Sequence, residues 1–230
     1  MKPFYYLLID IACISVPLLA SFYKKHPFNK KWPSFFKACF LVALFFIVWD
    51  YWFTAIKVWG FNTDYLSGLF IGELPIEEIL FFIAIPYACV FTYFALLFLV
   101  KKNPLQKIEK YITYVLISIC MVVAVLFYDK LYTFTTAFVA VLFLVYVSYK
   151  KVNLSYHYLT YLLIIPFFLG SNGILTGSLL ESPIVWYNDA ENLGIRIGTI
   201  PIEDSVYGLI LIFMNIELFR FFNKKKQPVI

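Results

Sequence analysis

Two acidic pairs recur in one setting along the chain, Pro75-Ile76-Glu77-Glu78 and Pro201-Ile202-Glu203-Asp204. In each, proline stands just ahead of two acids at the entrance of an apolar run. Proline suits a first helical turn, and carboxylates there complement the helix dipole by about 0.3 to 1 kcal/mol, so a purely structural role is one reading. A functional reading competes with it, because an ionisable side chain at the centre of a membrane span costs about 2.5 to 3.5 kcal/mol and paired acids at a span edge invite an explanation. Adjacent helical residues point about 100° apart, so each pair can send one carboxyl inward while the other meets a neighbour. The expectation is that Glu77 and Glu203 are the inward members. Aromatic rings crowd both motifs: Trp49, Tyr51, Trp52, Phe53 and Trp59 near the first, Phe81 and Phe82 after it, and Trp186, Tyr187 and Tyr207 around the second. Many such rings serve as interfacial belt or lipid-facing filler. Aromatic walls can also stabilise a carbocation through the ring quadrupole, by about 0.5 to 2 kcal/mol per contact. A carboxylic acid beside an aromatic cavity suits proton-initiated chemistry on an alkene.

Asp50 lies inside the apolar run 41–53 with aromatics on both sides, where it either bonds a neighbouring helix or serves the chemistry. Arg196, five residues before Pro201, is a candidate partner for Glu203 or Asp204, or part of an ordinary surface ion pair. Asp10 and Glu217 are further intramembrane acids that belong to no repeated block. The chain has no Gly-rich dinucleotide fingerprint and no P-loop. Cys13, Cys39, Cys89 and Cys120 lack Cys-x-x-Cys spacing and read as small core hydrophobes. His26 and His157 are placed in basic loops with no metal site expected. A retinal protein would need a lysine within its last helix, and 204–222 contains none.

These residues must be positioned by membrane spans. With 62 % apolar side chains in 230 residues, 14 % charge and 21 % aromatics, the chain is too apolar for a water-soluble enzyme and has enough apolar positions for seven spans of roughly 20 residues each. The runs fall at about 4–23, 35–55, 77–100, 111–127, 131–149, 158–175 and 204–222. The first is kept as a mature span, since no small-x-small cleavage site follows it. Fifteen Lys and Arg border alternate span ends, at 24, 25, 30, 31, 37, 101, 102, 107, 110, 150, 151, 220 and 224–226, against only Lys2, Lys57, Lys130 and Arg196 at the opposite ends. That bias predicts an N-terminus outside and a C-terminus in the cytoplasm, most simply in the cell membrane, with most acids near the outer leaflet. The net charge of +5 is therefore a topology signal rather than a nucleic-acid surface.

The chain also resembles itself. Tyr23-Lys24-Lys25 recurs as Tyr149-Lys150-Lys151, and Ile71-Gly72-x-x-Pro75-Ile76-Glu77-Glu78 recurs as Ile197-Gly198-x-x-Pro201-Ile202-Glu203-Asp204, both at an offset of 126. Asp50-x-x-x-Thr54-Ala55 matches Asn172-x-x-x-Thr176-Gly177 at 122, so the second copy carries four extra residues in its external loop. Asn172 keeps the shape of Asp50 but cannot titrate. Four spans separate equivalent helices, so both copies cross in the same direction and span four connects them. The expected fold is an all-α integral membrane protein of seven transmembrane helices. Two parallel three-helix repeats, 1–100 and 131–230, are joined by a linker helix within 101–130, and the two acidic motifs face each other across one interior.

On these residues the sequence resembles the integral-membrane lycopene cyclases of the two-subunit type, in the form where both subunits are fused. The resemblance rests on 74–82 with Pro86-Tyr87-Ala88-Cys89, and on Asn172-Gly173-Ile174-Leu175-Thr176, Pro183-Ile184-Val185-Trp186-Tyr187-Asn188, Arg196-Ile197 and Thr199-Ile200-Pro201-Ile202-Glu203-Asp204. It implies conversion of a linear carotenoid end group, as in lycopene, to a β-ionone ring without change of redox state. A neutral carboxylic acid protonates the terminal alkene, the neighbouring alkene attacks the tertiary cation, and a base removes a ring proton. The donor role carries over to Glu77 or Glu203, and the base is left among Glu78, Asp204 and Asp50. Asn172, Arg196, Trp49, Phe81, Phe82, Trp186, Tyr187 and Tyr207 are the candidate substrate contacts. No cofactor and no metal are expected, and no nucleic acid. The implied partners are a linear carotenoid, which enters laterally from the lipid bilayer, and other carotenoid-pathway enzymes. The alternatives are a carotenoid-binding or proton-coupled transport protein, and a cyclase forming ε rings or acting on longer carotenoids.

Overall fold

A computed structural model describes residues 2–224; Lys225 and Lys226 of the basic count lie outside the described residues. Seven helices dominate: α1 (Tyr5–Ala20), α2 (Trp32–Ala55), α3 (Ile76–Leu99), α4 (Glu109–Leu126), α5 (Leu131–Tyr149), α6 (Ser155–Leu175) and α7 (Ile202–Lys224). Each is long and apolar enough to cross a bilayer, and large side chains such as Val16, Leu19, Leu99, Val125 and Phe167 cover the outer surface. The chain is a multi-pass membrane protein. α2 starts three residues before the apolar run, because Pro33 fits its first turn, while α1 stops at Ala20 and the chain turns.

Helices α1–α3 and α5–α7 form two parallel repeats linked by α4. In each repeat the first helix packs on the third, and α2 crosses onto α7 as α6 crosses onto α3. The crossing is unequal: α2 also lies along α3, whereas α6 meets α7 only sparsely. α4 closes the outside of α5.

Six short strands organise the acidic end. β1 (Trp59–Phe61) pairs antiparallel with β4 (Val185–Tyr187), in register Trp59 to Tyr187, Gly60 to Trp186 and Phe61 to Val185. Gly60 and Trp186 are themselves 126 residues apart, so the pseudo-twofold axis passes between them. A Cβ at Gly60 would sit 2.3 Å from the Trp186 ring, which explains glycine there. β2 (Phe70–Ile71) with β3 (Leu74–Pro75), and β5 (Arg196–Ile197) with β6 (Ile200–Pro201), form tight hairpins turned by Gly72 and Gly198 at φ of 62° and 66°. The repeated Ile-Gly-x-x-Pro motif is therefore a hairpin that delivers the chain into α3 and α7.

At the basic end one of the two histidines expected in loops departs from that reading: His26 does lie in the loop after α1, whereas His157 does not. His157 lies within α6, fully buried, with Nε2 2.8 Å from Glu217 Oε1, and Arg220 bonds the same carboxyl. His26 stacks on Phe94 at 3.8 Å. Both positions read as polar from the sequence, yet the rings fill apolar packing that the sequence pattern does not display.

Candidate active site

At the acidic end, a cavity of about 680 Å³ lies between α1, α3, α6 and α7. Its polar lining converges on three carboxyls: Asp50 from α2, Glu78 from α3 and Asp204 from α7. Each is buried to within 8 % of full exclusion from solvent.

The expectation about the inward acids is reversed. Glu78 and Asp204 line the cavity, while Glu77 and Glu203 turn back to the loops ahead of their helices. Glu77 Oε1 accepts the Ser67 backbone N–H at 2.7 Å, and Glu203 Oε1 accepts that of Leu193 at 2.8 Å. Thr133 Oγ1 adds a bond to Glu203 at 2.6 Å. The first acid of each pair thus ties the loop ahead of the hairpin to the first helical turn, and the 100° step of the helix leaves the second to face inward.

Tyrosines from the first helix of each repeat hold the inward acids. Tyr6 donates to Glu78 Oε2 and Tyr132 to Asp204 Oδ1, both at 2.5 Å. Beyond this shared element the halves diverge. Asp204 Oδ2 accepts from Asn172 Nδ2 at 2.8 Å and from Tyr187 at 3.0 Å, so both oxygens act as acceptors. Burial and the Asp204 carboxyl hold the Tyr187 hydroxyl well above its ordinary range, which keeps it a donor. In the first half Asp50 replaces the amide. Its Oδ1 accepts Trp59 Nε1 at 2.5 Å, and its buried Oδ2 has no partner among the described residues.

Four rings surround these groups. Trp59 meets Tyr132 edge-on at 5.1 Å, Tyr132 stacks on Tyr187 at 5.8 Å, and Tyr207 closes on Trp59 at 6.2 Å and Tyr132 at 6.3 Å. An aromatic face within about 6 Å of a transient cation can stabilise it.

A family model described as lycopene cyclase matches residues 3–96 and again 129–222. The chain belongs to the lycopene cyclase family. The two matched segments are offset by 126, the spacing that superposes Tyr6 on Tyr132 and Glu78 on Asp204. No curated protein and no solved structure matches. The family's activity is cyclisation of a linear carotenoid, and the cavity is largely apolar with three carboxyls at one end.

Of the expected contacts for such a cyclase, Asn172, Phe81, Tyr187 and Tyr207 line the cavity. The other four do not. Arg196 pairs with Asp189 at 2.5 Å rather than with Glu203 or Asp204, and its guanidinium carbon sits 5.9 Å from the Tyr187 ring centre. Partial burial opposes ionisation of Asp189, but the bonds from Arg196 and Asn192 prevail and hold its carboxyl below the usual range. Trp186 covers Gly60 at the axis, and Trp49 and Phe82 pack with Phe46 across the axis, behind the cavity-lining Tyr207 and Phe81. Tyr6, Tyr132 and Phe61 were absent from the expected site, although the 126 offset already pairs the two tyrosines. Asp10 lies one turn from Tyr6, buried, with neither oxygen bonded among the described residues.

Proposed function

We propose that this chain converts the end group of a linear carotenoid such as lycopene to a β-ionone ring by proton transfer alone, an isomerisation. The proton comes from the Asp50–Glu78 pair, and Asp204 is the base. The observation that carries this reading is that these carboxyls, from opposite repeats, line one apolar, aromatic-walled cavity. Two carboxyls crowded into a site of low dielectric share a proton more readily than they carry two charges. Glu78 is held through Oε2, and its Oε1 has no hydrogen bond among the described residues, which leaves Oε1 to deliver that proton to the terminal alkene. The proton adds to one alkene carbon and leaves a tertiary cation on the other. The next alkene in the chain closes the ring by attacking that cation, and the charge moves to a ring carbon beside Trp59, Tyr132, Tyr187 and Tyr207. Asp204, held as an acceptor by three donors, removes the proton from the ring-junction carbon, which gives the β ring; removal from the neighbouring methylene would give ε. One proton is consumed and one released, so the substrate's mass and redox state are unchanged.

The basic residues support an orientation with the N-terminus outside and the C-terminus in the cytoplasm of a cell membrane, the acids lying near the outer leaflet. The test is expression in cells that accumulate lycopene, with chromatography of the pigments. The expected product is β-ringed, equal in mass to lycopene, and carries one deuterium per ring when formed in heavy water. Unchanged lycopene beside well-expressed protein would defeat the assignment.

A further inference from the structure

The cavity occupies one side of a molecule whose two repeats could have offered two. The offsets of 126 and 122 pair each lining position with a counterpart across the axis. Ala12, Pro17, Ser171 and Gly208 line the cavity, and their counterparts are Phe138, Phe143, Trp49 and Phe82. Trp49 and Phe82 are 7 % and 1 % exposed, and Trp49 lies 5.9 Å from Phe46 and 5.3 Å from Tyr207. The site related to the cavity by symmetry is therefore filled with rings. On the hollow side a Cβ at Gly208 would meet only Phe168, at 3.7 Å. Pro17, Pro86 and Pro166 interrupt the main-chain bonding of α1, α3 and α6 around the cavity, where the counterparts are Phe143, Ile212 and Leu44.

The cavity is long. Its lining on α3 runs from Glu78 to Thr92, about 21 Å at 1.5 Å per residue. Its flank includes Val16 on α1 and Phe167 on α6, each 73 % exposed on the lipid-facing surface. The carboxyls stand at its acidic end, Asp50 Oδ2 among them with no partner among the described residues.

We infer that this hollow side is a sleeve for the polyene tail, entered from the bilayer between α1 and α6 and gauged by Ser171 and Gly208, and that the filled side is closed to substrate. A tail lying along α3 leaves the end group at Glu78 and Asp204 and places the remaining chain toward the lipid. The inference rests on the cyclase reading. It adds that access is set by two small residues in the second repeat, and that each chain has one working chamber.

The test places at each small lining residue the bulky residue that stands at its counterpart in the other repeat. Ser171→Trp, Gly208→Phe and Ala12→Phe, the last at the exposed mouth where folding is least at stake, are compared with wild type and with Trp49→Phe on the filled side. Each is expressed in lycopene-accumulating cells and purified in detergent. Polyene retained by the protein, read from its visible absorption, and ring product are both measured. Conversion of a short acyclic terpene with the same end group is measured in parallel. Ser171→Trp and Gly208→Phe should lower lycopene retention and conversion by about tenfold or more, with a smaller loss for Ala12→Phe, while the short substrate stays within about threefold. Trp49→Phe, which keeps a ring on the filled side, should retain polyene as wild type does. Full retention and conversion of lycopene by Gly208→Phe and Ala12→Phe would overturn the sleeve. A wild type that retains polyene but closes no ring, with retention lost in the plugged variants, would defeat the cyclase reading and leave the sleeve standing.

Discussion

Glu78 and Asp204 stand 126 residues apart in the chain and line one cavity, each held at 2.5 Å by the tyrosine 72 residues before it. The pair is equivalent by repeat and unequal by surroundings. Asp204 has three donors, whereas Glu78 shares its cavity wall with another carboxyl.

The acids within each motif should separate by function. Glu78→Gln and Asp204→Asn are expected to lower ring formation by about 10² to 10⁴, the usual weight of a general acid or base. Glu77→Gln and Glu203→Gln should act through the loops they tie, with loss of about 1.5 to 3 kcal/mol of stability each and activity that follows the amount of folded protein. Pigment conversion normalised to folded protein, with melting followed in detergent, distinguishes the two classes. Equal effects of all four would remove the distinction.

The tyrosines should also be unequal. Tyr6→Phe deletes the one hydrogen bond to the Glu78 carboxyl among the described residues, whereas Tyr132→Phe leaves Asp204 with Asn172 and Tyr187. A lost hydrogen bond of about 0.5 to 1.5 kcal/mol corresponds to a rate loss of roughly two- to tenfold. Tyr6→Phe is expected at the upper end and Tyr132→Phe at the lower, read as initial rates on lycopene in detergent micelles.

Making the halves alike should be harmful. Asn172→Asp replaces a donor to Asp204 with a second carboxyl, and Asp50→Asn removes the carboxyl proposed to share a proton with Glu78. Each is expected to slow cyclisation by at least about tenfold, the factor that corresponds to ~1.4 kcal/mol. Wild-type rates in both would show that the asymmetry is incidental.

The external loop should respond to acid. Arg196 and Asn192 hold the Asp189 carboxyl below its usual value of 3.8, so the stabilisation is present above that value and is lost as pH falls through the lower folded value. Asp189 is 61 % exposed at its side chain, which limits the contribution to less than about 1 kcal/mol after solvent screening. Melting profiles recorded from neutral pH to below that range should dip for wild type and stay flatter for Asp189→Asn.

Spans, repeat and family were legible because each rests on a one-dimensional pattern. Apolar runs set the helices, and an offset of 126 set the symmetry and brought the two acidic motifs to the same end of the fold. The orientation of adjacent acids was not legible, since a helical step of 100° is blind to which direction is inward. That depended on the loops ahead of the hairpins, at 67 and 193, whose N–H groups claimed Glu77 and Glu203. The tertiary structure also decided which aromatics face the chamber. Trp49 and Phe82 resemble Tyr207 and Phe81 in composition, yet they fill the opposite side. The reason is volume: Ser171 and Gly208 leave space that Trp49 and Phe82 occupy across the axis, and only packing of all the helices together shows which side remains hollow.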